Sequence, residues 1–195
     1  SSFTATFASP AAPSAQVARI TLQSSLGASP YNYNSIQFAS NTYMTLSPGI
    51  SPGTQAFTIE TWLKTGSTVK GGDILGNSNT TGGLSFILDS TTNAHIDGYG
   101  IAAYHYTLPV TLQPNTWYHI AVTRSGSTFR LFVNGTVEAT TTSTVSLNNV
   151  NAAINVGAQQ NTYVFQGYID DLRITKGYAR YTANFTPPTA AFPNN

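Results

Sequence analysis

The sequence predicts an all-β chain, folded as two antiparallel sheets stacked into a sandwich. Three observations lead there. The chain reads as short runs of β-branched and aromatic residues separated by Gly, Asn, Pro and Ser. No window of about 11 residues holds a sustained helical period. Lys, Glu and Leu, the common helix formers, are sparse. A length of 195 residues suits one domain of this kind, and a hydrophobic content of 41% is enough for a sizeable core.

Taken in order, residues 1–30 read as an N-terminal extended arm with a candidate first strand. Ser9–Gln16 (SPAAPSAQ) lacks periodicity, whereas Val17–Leu22 (VARITL) alternates. Residues 31–195 read as the sandwich with an extended C-terminal tail. Ser35–Leu46 predicts two short strands about Ser40-Asn41-Thr42. Phe57–Lys64 (FTIETWLK) is a strand with Phe57, Ile59 and Leu63 on one face and Glu60, Trp62 and Lys64 on the other. Ile74-Leu75 and Leu84–Leu88 are short strands between glycine pairs, and His95–Tyr106 holds one or two more. Trp117–Arg124 and Thr128–Val133 form a hairpin about Ser125-Gly126-Ser127. Asn134-Gly135 is a strong two-residue turn signal, because both residues accept positive φ, and Thr136–Thr142 returns from it. Ala153–Val156 and Phe165–Ile174 supply two further strands. One helical turn is expected from Ala179, then an extended end after Pro187-Pro188.

Composition excludes several classes. Charged residues are 8% of the chain, against about 25% in ordinary globular proteins. The surface is therefore polar but mostly uncharged. The net charge is +1 and there is no basic stripe, so nucleic acid is not an expected partner. No apolar stretch approaches the ~20 residues of a membrane helix, and nothing reads as a signal peptide. Cys is absent, which excludes disulfides and Cys-type zinc sites.

Three segments, in order, carry a resemblance. They are Phe57-Thr58-Ile59-Glu60-Thr61-Trp62; Asn115–Arg124 (NTWYHIAVTR) continued by Leu131–Gly135 (LFVNG); and Gly167–Ile174 (GYIDDLRI) followed by Ala179-Arg180-Tyr181 and Phe185-Thr186-Pro187-Pro188. Together they resemble the laminin-G-like, concanavalin A-like domains found in bacteriophage virion proteins. The resemblance spans roughly Ser35 to Pro193. It implies a jelly-roll sandwich, a virion-surface location, and a non-catalytic role in capsid decoration or a tail fibre. Other virion proteins would be the partners, reached through the terminal arms, with the chain present as an oligomer or in repeated copies. It also implies carbohydrate binding as the alternative role, with a cell-surface glycan as ligand and sometimes calcium. One departure stands out. Many relatives open with an apolar strand ending in an aromatic-Asp-Gly turn, whereas Ala18–Leu26 (ARITLQSSL) contains no acid.

The residues themselves offer three chemistries. A stacking site for sugar would use Trp62, set opposite the core-facing residues of its strand, or the aromatic-polar group His95, Asp97, Tyr99, Tyr104 and Tyr106. Against this, Trp62 would equally complete a small second core under a covering loop, and Tyr-rich strands are ordinary β sequence. Calcium needs six to eight oxygens, to which Asp170 or Asp171 would contribute. The plainer role for this pair is one carboxylate bonded to backbone and the other in solvent. Glycoside hydrolysis needs two carboxylates roughly 5 to 9.5 Å apart. Only seven acids exist, and Asp170 and Asp171 are neighbours that a regular strand points to opposite faces. An enzyme therefore ranks last. His119 alternates with Trp117 and Ala121 and reads as a structural histidine.

Overall fold

The computed structural model describes residues 4–8, 16–21, 35–39, 42–46, 50–67, 72–76, 84–88, 90, 92–98, 104–107, 111–147, 153–158 and 163–192. Among them are fourteen strands and no helix. In chain order these are β1 (Thr4–Ala8), β2 (Gln16–Thr21), β3 (Ile36–Phe38), β4 (Met44–Leu46), β5 (Phe57–Thr65), β6 (Gly72–Gly76) and β7 (Leu84–Leu88). They continue as β8 (Asn93–Gly98), β9 (Tyr104–Thr107), β10 (Trp117–Ser125), β11 (Thr128–Val133), β12 (Thr136–Thr142), β13 (Ile154–Val156) and β14 (Gly167–Lys176).

The larger sheet runs β1-β2-β14-β5-β10-β11-β12, with β3 beside the first half of β14. The smaller runs β4-β13-β6-β7-β8-β9. Every pairing between these strands is antiparallel. The architecture is the all-β, concanavalin A-like jelly-roll sandwich that the sequence predicts. Its core lies between the sheets. The large sheet contributes Phe57, Ile59, Leu63, Ile120, Val122, Phe129 and Leu131, and the small sheet Ile74, Leu84, Phe86, Ile154 and Val156, all buried. Period-two alternation on β5, β10 and β11 is what delivers these side chains to one face.

Two parts of the chain differ from expectation. Among the described residues of 1–30 there are two strands, where the sequence predicts one. Thr4–Ala8 (TATFA) alternates and pairs with Gln16–Thr21, which in turn pairs with β14. This stretch therefore widens the chain's own large sheet. The tail forms no helical turn, and instead lies across the outer face of the large sheet. Phe192 is fully buried there. Through that residue the tail is engaged within its own chain.

The hairpin turn at Asn134-Gly135 has φ values of 49° and 79°, as its two-residue length requires. It also receives the tail. The Phe185 N–H donates to the Gly135 carbonyl at 2.9 Å, and a Cβ on Gly135 would run into the Phe185 carbonyl oxygen. Gly126 has a similar φ of 59° but open space around it. Gly135→Ala is therefore expected to cost about 1–3 kcal/mol in denaturant unfolding, and Gly126→Ala less. Equal losses at the two positions would show that the tail does not press on the turn.

Candidate functional site

The outer face of the large sheet is set by four cross-strand rows on β14, β5 and β10. The first holds Thr175, Thr58 and Thr123. The second holds Arg173, Glu60 and Ala121, and the third Asp170, Trp62 and His119. The fourth holds Tyr168, Lys64 and Trp117, extended by Gln37 on β3. Between the second and third rows β14 carries a bulge, with Asp171 at φ 49°. Two β14 residues there face one on β5, so the simple alternation expected for Asp170 and Asp171 is broken.

The tail closes the first two rows. The Thr123 hydroxyl donates to the Tyr181 carbonyl (3.0 Å), while the Thr58 oxygen accepts the Arg180 N–H (2.9 Å). The Arg180 Nε donates to the Thr175 hydroxyl at 2.8 Å. Strand threonines that alternation aims outward thus satisfy tail backbone that would otherwise be buried unpaired.

Glu60, fully buried, is the centre of the second row. Its Oε1 accepts from Arg173 Nε and Nη2, each at 2.8 Å. Its Oε2 accepts the Tyr181 hydroxyl at 2.7 Å and lies 3.4 Å from His119 Nε2. Burial by itself would raise the pKa of this carboxyl. The His119 contact, the Arg173 charge and the Tyr181 hydroxyl outweigh it and hold the group below the ordinary carboxylate value. Burial, then the Glu60 charge and hydrogen bond, push the Tyr181 phenol well above its usual value. Arg173 also lies over the Phe192 ring at 4.3 Å, and Asp171 Oδ2 accepts the Phe192 N–H.

Around this ion pair the tail rings build a second apolar layer. Tyr181 and Phe185 stack at 3.5 Å, and Phe185 meets Phe132 edge-on at 5.3 Å. The ring of His119, fully buried, is edge-on to Trp62, Tyr181, Phe185 and Phe192. Trp62 is half-buried and leans on His119, so it completes the rim of this second core.

The fourth row lies at the open end of the face. Lys64, Trp117 and Tyr168 are half-buried, and Gln37 is exposed. The Lys64 amine sits 4.4 Å from the Tyr168 ring centre and 5.5 Å from that of Trp117. Beside it opens a cleft of about 370 Å³, lined by Gln37, Ala39, Ser67, Asn115, Gln166 and Tyr168 among others. Aromatic faces, side-chain amides and hydroxyls converge here, the groups that suit the mixed C–H and O–H surface of a saccharide. Of these, Lys64 was placed by alternation on the outward face of its strand, and Trp117 on the face of His119. Trp117 and Tyr168 were legible as members of familiar strings, but nothing in the sequence showed that they flank one lysine.

The other candidates lie elsewhere. His95 and Asp97 are on β8 and Tyr104 and Tyr106 on β9, at the edge of the small sheet, with His95 opposite His105. Tyr99 lies outside the described residues. The small-sheet group and Trp62 are therefore on different sheets and do not form one site. Asp171 is committed to the Phe192 backbone, and among the described residues no three of His, Asp and Glu gather to hold an ion.

Such a two-sheet antiparallel jelly roll defines the concanavalin A-like class of fold. The chain belongs to the concanavalin A-like lectin/glucanases superfamily, whose laminin-G-type family matches residues 38–180. No curated protein matches it in sequence. Solved structures share the fold at low identity. A heptameric SAP-like pentraxin of Limulus polyphemus is 16% identical, with a TM-score of 0.57 over 72% of this chain and 74% of that one. The CBM40 of a Ruminococcus gnavus IT-sialidase, bound to α2,3-sialyllactose, is 16% identical, with a TM-score of 0.55 over 72% and 91%. Domains LG4-5 of the mouse laminin α1 chain are 19% identical, with a TM-score of 0.58 over 77% of this chain and 44% of that one.

Proposed function

We propose that the chain is a non-catalytic saccharide-recognition module. Glycan would lie along Gln37, Tyr168, Lys64 and Trp117 and enter the adjoining cleft. The observation that carries this reading is the fourth row: two aromatic rings flank one cation, beyond the contacts made by the described part of the covering tail. Sugar-binding relatives of the same fold support it. Glu60, an acid on the outward face of β5, is spent on Arg173 and Tyr181, which supports a binding role over a hydrolytic one. Trp117→Ala is expected to weaken glycan binding by about 1–3 kcal/mol in titration calorimetry, by analogy with base stacking on aromatic rings. An unchanged affinity in this variant, for a glycan found by array screening, would move the site off this row.

A second reading concerns where the module works. The three phage-like strings favour display on a virion surface, in a capsid decoration or a tail fibre alongside other virion proteins. Antibody labelling of particles by electron microscopy tests this. Absence of label from particles whose genome encodes the chain would remove the virion setting and leave the binding reading standing.

A further inference from the structure

We infer that the saccharide is acidic, and that Lys64 receives its carboxylate or sulfate; this rests on the glycan-binding reading above. Charged side chains are scarce in this protein, at 8% of residues, so a cation placed at a site calls for a reason. Among the described residues Lys64 makes no ion pair, and its amine is held over the Tyr168 and Trp117 rings instead. A cation over ring faces keeps most of its charge available, because the rings supply only a quadrupole. Flanking rings also limit the rotamers of a long flexible stem, which lowers the entropy lost when an anion is captured.

The surroundings fit this. The cleft residues Gln37, Ser67, Asn115, Gln166 and Tyr168 are all neutral. They can bond to hydroxyls of the same sugar without competing for its anion. The acid on the neighbouring row is Asp170, opposite Trp62, and its backbone carbonyl accepts the Thr61 hydroxyl at 2.9 Å. Its carboxylate would weigh against an anion, so removing it is an informative variant. Glu60, the outward-facing acid of β5, is buried beneath the tail and paired with Arg173.

The test uses an array of oligosaccharides printed as matched acidic and neutral forms. The pairs are trigalacturonate with its methyl ester, sialyllactose with lactose, and sulfated with unsulfated lactose. The wild-type chain is expected to prefer the acidic member of at least one pair. Calorimetry on that member should show about a tenfold or greater loss in Lys64→Gln, partial retention in Lys64→Arg and a gain in Asp170→Asn. Salt from 50 to 500 mM should weaken wild-type binding, and weaken Lys64→Gln much less. Lys64→Gln should melt as the wild type does, which separates lost recognition from lost folding. Equal binding of neutral and acidic forms, lost only with Trp117→Ala, would overturn the acidic assignment and leave the recognition reading intact. Acid-selective binding indifferent to Lys64→Gln would place the anion elsewhere. No binding to any printed glycan would overturn both.

Discussion

Glu60→Gln is expected to lower the unfolding free energy by about 3–5 kcal/mol, measured by denaturant titration at pH 7. Glutamine preserves the shape but removes the charge that compensates Arg173, whose side chain is almost wholly buried. It also weakens the acceptor that holds the Tyr181 hydroxyl. Breaking one partner of a buried pair costs more than deleting both, so Glu60→Gln combined with Arg173→Met should recover most of the loss. A double variant as unstable as the single one would show that the pair's charges are not what matters. The deficit should also depend on pH. The folded Glu60 carboxyl ionises below its ordinary value of 4.5. The stability it contributes is therefore present above that value and is lost as pH falls through the folded value. Wild type and Glu60→Gln should accordingly converge in acid, and a gap that stayed constant down to pH 2 would argue against an ionised network.

Phe192→Ala is expected to weaken closure of the tail by about 3–5 kcal/mol. The ring is fully buried beneath Arg173 and beside His119, and its N–H is held by Asp171. The tail rests on side-chain contacts and a few hydrogen bonds rather than a strand ladder. It should therefore open as a unit separate from the sandwich. Hydrogen exchange at the Phe185 N–H, bonded to Gly135, is the direct readout. Its protection should fall strongly in Phe192→Ala, while amides of β5 and β10 stay protected. Equal loss on the strands would mean that tail and sandwich open together.

The sandwich was legible because its strands obey period two. Phe57, Ile59 and Leu63 declare one buried face, and Asn134-Gly135 declares its turn. The N-terminal strands were less so, since Thr4–Ala8 is short and a Pro-containing stretch separates it from its partner. What alternation could not reveal was that the outward face is also covered. Thr58, Glu60, Thr123 and Arg173 look like ordinary solvent-facing positions until a segment about 120 residues later folds over the first two of them. The same limit applied to the site. Lys64, Trp117 and Tyr168 come from three strands, and only their register makes them neighbours. Asp170 and Asp171 were assigned opposite faces by regular geometry, which the bulge does not follow.

The family match ends at residue 180, one position before Tyr181. A recombinant fragment trimmed to that boundary would lack the phenol that caps Glu60 and the rings of Phe185 and Phe192. Phe132 and His119 would then meet water, and an apolar sheet face would be left open to self-association. The matched limits, taken as cloning limits, would thus yield a sticky product whose poor behaviour says nothing about the sandwich itself. Extending the fragment through Phe192 should restore a monodisperse protein.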